Sequence, residues 1–206
     1  MTGKLWAFGY NAEGILGTGD NETKIIPTKI ETNEVFKSIS AGGDFIAGLR
    51  QDGYIIQTKN GKLVQIPDLT KIIKIACGNG FGLAMNEFGI IYEWNSETLA
   101  VKEIERKSSK IIDISAKNNQ RLYITSRGTI LGEGDILNGE MQGMQDAVKA
   151  EVLQDRILIL KSDGTVCEYV NGMLQNKVLK ERVIDISGNM TNALYQTVRR
   201  KNICNR

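Results

Sequence analysis

A repeat of about 36 residues runs through most of the chain and constrains the fold more than any other feature of the sequence. Each unit contains a short run rich in β-branched residues, and a turn glycine lies 14 residues after a fixed position in that run. The pairs with this spacing are Ile39 and Gly53, Ile75 and Gly89, Ile114 and Gly128, and Ala150 and Gly164. A fifth run continues the series at Ile186. A regular period of this length indicates an array of equivalent structural units.

Within each unit the apolar residues alternate with a period of two, which is typical of β-strands. Asn60-Gly61 and Asn171-Gly172 predict type I′ turns between the third and fourth strands of their units, because both turn positions need a positive φ. Four antiparallel strands per unit predict the blade of a β-propeller. The chain has 22 Gly and only 2 Pro, as expected where every blade needs tight turns and its strands need their N–H donors.

The two ends of the sequence carry complementary parts of a blade. Residues 4–9 have the pattern of a third strand, whereas residues 183–200 supply a first and a second strand. We therefore predict an all-β propeller of five four-stranded blades, closed by the N- and C-terminal strands in one composite blade. Residues 1–206 would form a single domain. The structural alternative is a partial ring that dimerises.

Residues 6–28 contain an insertion that carries the most distinctive motif in the chain. They read W-x-F-G-x-N-x-x-G-x-L-G-x-G-D…P-T, which resembles the repeat of the RCC1 (regulator of chromosome condensation) family. Ile75-Ala76-Cys77-Gly78 and the segment 89–94 are similar to other parts of the same repeat. The resemblance implies a propeller fold. It also implies kinds of partner, because RCC1-like propellers include guanine-nucleotide exchange factors for small GTPases and a bacterial inhibitor that plugs β-lactamase active sites.

The composition excludes several classes of chemistry. The chain has no His, which removes serine and cysteine triads and imidazole acid–base catalysis, and we predict that the protein is not an enzyme. Its three cysteines, Cys77, Cys167 and Cys204, have no CxxC spacing, so we expect no disulfide framework, no metal site and no cofactor. Cys77 and Cys167 are predicted to be core residues. Trp6 and Trp94 hold similar positions in their units and are predicted to pack between blades.

The remaining signals concern location and partners. No run of residues is apolar enough to cross a membrane and the N-terminus has no apolar signal region, so we expect a cytoplasmic protein without membrane association. The Lys-, Ile- and Asn-rich composition suits a bacterial or phage gene product. The basic cluster at residues 199–206 lacks interleaved aromatic residues and the net charge is only +2. We therefore do not expect a nucleic-acid partner.

The turns between first and second strands are the predicted recognition site. In a propeller these turns share one face next to the central channel, and here they differ in charge and size, as binding loops on a rigid scaffold do. The predicted site residues are Asp44, Asn79, Lys117, Asn118, Asn119, Asp155, Arg156 and Asn189. The turns of the opposite face carry Asp52, Glu87, Arg127 and Asp163.

The leading functional hypothesis is a non-enzymatic module that recognises, or inhibits, a protein partner through this face. One alternative is a propeller that binds or sequesters a small ligand such as a nucleotide or a sugar. A further alternative is a guanine-nucleotide exchange factor for a small GTPase.

Overall fold

The computed structural model describes residues 5–105, 110–177, 181–188 and 192–197. All regular structure in these ranges is β-strand, and the strands are short and joined by tight turns. The strands are β1 (Trp6–Gly9), β2 (Lys24–Lys29), β3 (Phe36–Ala41), β4 (Ile46–Arg50), β5 (Ile55–Lys59), β6 (Lys62–Gln65), β7 (Ile72–Cys77), β8 (Phe81–Asn86), β9 (Ile91–Asn95), β10 (Val101–Ile104), β11 (Ile111–Lys117), β12 (Gln120–Thr125), β13 (Ile130–Glu133), β14 (Gly139–Glu140), β15 (Ala147–Val152), β16 (Arg156–Lys161), β17 (Val166–Val170), β18 (Met173–Lys177), β19 (Val183–Gly188) and β20 (Ala193–Thr197). None of the described ranges contains a helix that could cross a membrane.

Four of the sheets are complete blades. Each has four antiparallel strands, and the strands are hydrogen-bonded in the order in which they follow one another along the chain. We number them blade 1 (β3–β6), blade 2 (β7–β10), blade 3 (β11–β14) and blade 4 (β15–β18). This arrangement confirms the predicted all-β propeller with four-stranded blades. The predicted hairpin turns are also confirmed, because Asn60-Gly61 and Asn171-Gly172 both have positive φ at their two positions.

The predicted pairing of the N- and C-terminal strands in one composite blade is not seen among the described residues. Among the described residues β1 pairs with β2 in one two-stranded sheet, the N-terminal half-sheet, and β19 pairs with β20 in another, the C-terminal half-sheet. The described part of the chain thus contains four complete blades and two separate halves, where five blades were expected. Each half-sheet is held by the blade next to it in sequence.

Apolar residues lie between neighbouring blades rather than inside a single sheet. One cluster joins blades 1 and 2 and includes Phe45, Ile72 and Trp94. Equivalent clusters join blades 2 and 3, and blades 3 and 4. Trp94 is fully buried, as predicted, and Cys77 and Cys167 are buried free thiols. The prediction for Trp6 is wrong: its side chain is 54% exposed, because the described residues place no strand beside β1 on the side where a second strand would lie.

The first strand of every blade has a register shift at the same place. In β7, for example, it falls between Ile72 and Lys74, and β19 has the same irregularity between Val183 and Asp185. A β-bulge at this place lets a strand re-aim the residues that follow it. We call the first strand of each unit its inner strand. The residue after the bulge is charged in four consecutive inner strands. These residues are Lys74, Asp113, Lys149 and Asp185.

The insertion between β1 and β2 folds back onto blade 1. Gly14 has a positive φ, and a Cβ atom added to it would lie 2.3 Å from the backbone nitrogen of Gly61. The insertion therefore contacts the β5–β6 hairpin backbone to backbone, with no side chain of Gly14 or Gly61 between the two segments. Its interior is organised by Asn11, whose side chain is completely buried.

Candidate functional site

The turns between first and second strands meet at one end of the blades. The N–H of Gly43 donates to the carbonyl of Gly78 at 3.1 Å, and the N–H of Asn79 donates to the carbonyl of Asn118 at 2.8 Å. These bonds join the turns of blades 1, 2 and 3 in a continuous row. We call this surface the turn face. The sequence-based prediction that these turns share one face is consistent with this geometry.

Asp44 connects two blades. One carboxylate oxygen accepts a hydrogen bond from the N–H of Gly80 at 2.9 Å, and the other accepts one from the hydroxyl of Ser96 at 2.7 Å. Both oxygens of this exposed residue are therefore engaged within the protein. Asp44 supports the turn face and leaves Asn79 as the exposed side chain beside it.

The turn of blade 3 presents the largest polar group of the predicted set. Asn118 adopts a positive φ of 48°, and both Asn118 and Asn119 are exposed. Lys117 lies deeper. Burial lowers the pKa of Lys117, and the Glu151 carboxylate acts in the opposite direction. Lys117 therefore approaches the inner strand of blade 4.

The turn of blade 4 holds its charges internally. Arg156 contacts the carboxylate of Asp155 at 2.9 Å and that of Glu168 at 3.6 Å. The hydrogen bonds that join blades 1 to 3 thus bring Asp44, Asn79 and residues 117–119 together, whereas Asp155 and Arg156 form an ion pair within their own turn. Asn189 lies outside the described residues.

An ionic cluster at the same end of blades 2 and 3 was missed by the sequence analysis. The guanidinium of Arg121 lies 3.6 Å from the ring centre of Phe81 and hydrogen-bonds the Glu93 carboxylate, which Lys102 also contacts at 2.8 Å. Burial alone would raise the pKa of Glu93, but the hydrogen bonds from Arg121 and Lys102 outweigh it and lower that pKa. A signal was present in the sequence: Glu93 and Glu168 both lie four residues after a turn glycine.

The charged residues that follow the bulges line the inner edge of the blades. Lys74 of blade 2 pairs with Asp113 of blade 3, which is only 5% exposed. Lys149 of blade 4 pairs with Asp185 of the C-terminal half-sheet at 2.8 Å. Glu151, also on β15, lies 3.3 Å from Lys149.

The charged residues on the inner strands shift one another's pKa values from one blade to the next. Burial lowers the pKa of Lys74 to about 8, while the carboxylates of Glu151 and Asp185 act to raise it. Burial raises the pKa of Glu151. The charge of Lys74 thus interacts with carboxylates of blade 4 and of the C-terminal half-sheet. No set of three Cys, Asp or Glu residues in the described part of the chain is placed to hold a metal ion.

The fold and the repeat together define a β-propeller. Residues 2–49 match the family model for the Regulator of chromosome condensation (RCC1) repeat, which confirms the resemblance drawn from the motif in residues 6–28. The chain is 29% identical over 134 residues to the Ultraviolet-B receptor UVR8 of Arabidopsis thaliana, covering 54% of this chain and 30% of that protein. It is 27% identical over 111 residues to the Regulator of chromosome condensation of Mus musculus, covering 45% of this chain and 26% of that protein.

Solved structures show the same fold at low sequence identity. Yeast RCC1 (Prp20), in its crystal structure with Kap60, superposes with a TM-score of 0.82 at 11% identity, over 94% of this chain and 62% of that one. Human WBSCR16 gives a TM-score of 0.79 at 8% identity, over 94% of this chain and 67% of that one. The matches to the curated relatives extend over less than a third of those two proteins.

Proposed function

We propose that the protein is a non-enzymatic binding module that recognises a protein partner through the turn face. The observation that carries this proposal is the direct hydrogen bonding of three successive turns into one surface. Such a surface is rigid, because each turn is held by the next, and it exposes side chains of different chemistry at Asn79, Asn118 and Asn119. Exposed polar groups on loops fixed by a scaffold are the usual site of recognition.

The comparisons support the class of partner. Yeast RCC1 (Prp20) has been crystallised bound to Kap60, and Prp20p from Saccharomyces cerevisiae has been characterised for its binding to Gsp1p and histones. Those statements concern the yeast protein. They support a protein as the kind of molecule that a propeller of this type binds. The absence of His from the sequence supports a role that does not depend on imidazole acid–base catalysis.

The test is affinity capture with a face-specific variant. Asn79→Arg combined with Asn119→Arg adds two positive charges to the turn face, and Glu87→Arg makes the same change in net charge on a turn of the opposite face. Proteins captured from an extract by the wild type should be retained by Glu87→Arg and reduced about tenfold by the double variant. Equal capture by all three forms, or loss with the Glu87 control alone, would contradict the use of the turn face.

A second candidate function is the binding of a small polar ligand in the channel. The observation that favours it is the convergence of Lys74, Glu151 and Asp185 with perturbed pKa values, because perturbed ionisable groups cluster at functional sites. A ligand that binds the folded state raises the melting temperature. A thermal-shift panel of nucleotides, cyclic nucleotides and sugars should contain at least one stabilising compound, and a flat response across the panel would contradict this candidate.

Guanine-nucleotide exchange is less well supported. Exchange requires a segment that can be inserted into a partner, and the insertion between β1 and β2 was the candidate from the sequence. In the structure this segment packs on the β5–β6 hairpin and is held by the buried Asn11. Exchange by this segment would require it to leave its packed position.

A further inference from the structure

An apolar groove lies between the N-terminal half-sheet and blade 1. Its volume is about 220 Å³, and its lining includes Trp6, Phe8, Phe36, Ile39, Ile46 and Ile56. Ile39 is 60% exposed, whereas the residues at the equivalent position of the other inner strands are nearly completely buried. Those residues are Ile75 at 7%, Ile114 at 2%, Ala150 at 1% and Ile186 at 1%. Ile39 therefore lacks the apolar neighbour that buries each of its equivalents.

The missing neighbour can be identified from the complete blades. Ile114 shares an apolar cluster with Leu83, which lies on the second strand of the preceding blade. Ile186 likewise shares a cluster with Leu158 on the second strand of blade 4. The groove beside Ile39 thus has the position of a second strand that carries an apolar residue facing blade 1.

The C-terminal half-sheet contains a strand of this kind. Tyr195 pairs with Ile186 in the same way as Ile159 pairs with Ala150 and Ala84 pairs with Ile75. β20 is therefore a second strand. Leu194, which precedes Tyr195, is the equivalent of Leu83 and Leu158. Leu194 is 74% exposed, but Leu83 and Leu158 are both 0% exposed. Leu194 lacks the same interface that Ile39 lacks, from the opposite side.

We propose that β20 of a second copy of the chain pairs with β1 and places its Leu194 in the groove against Ile39. In the part of the chain that the structure describes, β1 and β20 belong to separate sheets, and the proposal therefore takes the strand from a second molecule. The free edge of β1 offers unpaired backbone groups for strand addition. Donor and acceptor surfaces differ, so the contact is heterologous and joins molecules head to tail.

The repeat also gives the register of the pairing. In complete blades the second strand meets the residue three positions after the turn glycine, as in Ala84 with Tyr92 and Ile159 with Cys167. Counted from Gly3, the glycine at this place in the first unit, the rule pairs Tyr195 with Trp6 and Leu194 with Ala7. Ala7 already faces blade 1, in a cluster with Leu16 and Ile30 next to Ile46, which is the side that Leu194 must face.

Disulfide trapping tests the register directly. Ala7→Cys and Leu194→Cys are made in separate chains. Both chains also carry Cys204→Ser, so that the only other cysteines are Cys77 and Cys167, which are buried. By analogy with Leu158 and Glu168, the two new cysteines occupy a non-hydrogen-bonded pair, with Cα atoms about 4.5 Å apart, within the range for a disulfide. Mixing the two chains under mild oxidation should give a covalent dimer. Phe8→Cys with Leu194→Cys is the control, because Phe8 is one residue out of the proposed register with Leu194.

Three outcomes would overturn the proposal. They are a yield of mixed dimer no higher than in the Phe8 control, a chain with both cysteines that forms only an internal disulfide, and a wild type that stays monomeric at every concentration in light scattering. The expected result is a mass that rises with concentration and a shift of this transition to about tenfold higher concentration in Leu194→Lys. Met173→Lys changes an exposed apolar residue elsewhere and should leave the transition unchanged. Circular dichroism confirms that both variants are folded.

Discussion

At the scale of single residues, the interface between blades 1 and 2 depends on one buried amide. The side chain of Gln57 is 1% exposed. Its oxygen accepts a hydrogen bond from the indole N–H of Trp94 at 2.8 Å, and its nitrogen donates to the carbonyl of Ser96 at 2.7 Å. Two polar groups of blade 2 thus depend on one side chain of blade 1.

Replacement of Gln57 should therefore be costly. Gln57→Leu keeps a similar volume but leaves the Trp94 N–H and the Ser96 carbonyl without partners, and we expect the free energy of unfolding to fall by about 2 kcal/mol. Urea denaturation followed by tryptophan fluorescence measures this loss. The exposed residue Gln142 provides the control, since Gln142→Leu should change the free energy by less than about 0.5 kcal/mol. Equal effects of the two substitutions would contradict the role of Gln57.

The inner lysine predicts a particular dependence of stability on pH. Burial lowers the pKa of Lys74 from 10.5 to about 8 in the folded protein. Between these two values the unfolded chain binds more protons than the folded one, so the free energy of unfolding contributed by Lys74 rises as the pH increases. Denaturation at pH 8, 9 and 10 should show this rise in the wild type and a smaller one in Lys74→Met. The same slope in both proteins would contradict the prediction.

At the scale of elements, the insertion between β1 and β2 is held by one side chain. The amide nitrogen of Asn11 donates to the carbonyl of Asp20 at 2.9 Å and to the hydroxyl of Thr18 at 3.1 Å, and its oxygen accepts from the N–H of Leu16 at 2.9 Å. A loop without regular structure thus has an internal set of hydrogen bonds centred on a residue that is fully buried.

Asn11→Ala should loosen this loop without unfolding the blades. Three hydrogen-bonding groups lose their partner, and we expect a loss of about 2 kcal/mol in the free energy of unfolding. Hydrogen exchange measured by mass spectrometry should become faster in residues 12–20 and stay unchanged in β7–β9. Glu13→Ala, at an exposed position of the same loop, is the control. Unchanged exchange in the loop of the Asn11 variant would show that other contacts hold it.

The strands and their turns could be predicted from the sequence because their causes are local. The turn glycines Gly53, Gly89, Gly128 and Gly164 all have positive φ, so each leaves a mark at its own position in the sequence. The meeting of the turns on one face followed from the same repeat. The role of Asp44 could not be predicted, because its partner Ser96 lies 52 residues away and depends on how two blades are placed against each other.

Pairing between the two ends of the chain also depends on how neighbouring blades are placed against each other. The sequence shows that residues 4–9 and 183–200 carry complementary parts of a blade, but it does not show the angle between neighbouring blades. Many side-chain contacts between the sheets together determine that angle. Pairing of complementary strands within one chain depends on it, whereas the existence of the strands does not.

At the scale of the whole molecule, each apolar cluster is shared by two neighbouring sheets. Blades 2 and 3 have a complete neighbour on both sides, while each half-sheet contacts a blade on one side. In arrays of this kind stability is close to a sum of unit and nearest-neighbour contributions. The middle of the chain should therefore be more stable than its two half-sheets.

Hydrogen exchange of the wild-type protein checks this gradient. Amides of β8 and β12 should be the most protected, because their side chains are buried against both neighbours, and amides of β1, β2 and β20 should exchange through local opening at lower free energy. The measurement is best made at low protein concentration, where association through β1 and β20 is least. Uniform protection of all strands would indicate cooperative unfolding of the whole chain and contradict the additive description.

The sharing of each cluster by only two sheets has a consequence for how such a chain changes over generations. Duplication of one 36-residue unit in the gene would add one interface of a kind that already exists and would leave the other interfaces untouched. Loss of a unit would remove one interface in the same way. If the contributions of the units add in this way, blade number can change by whole units in single genetic steps.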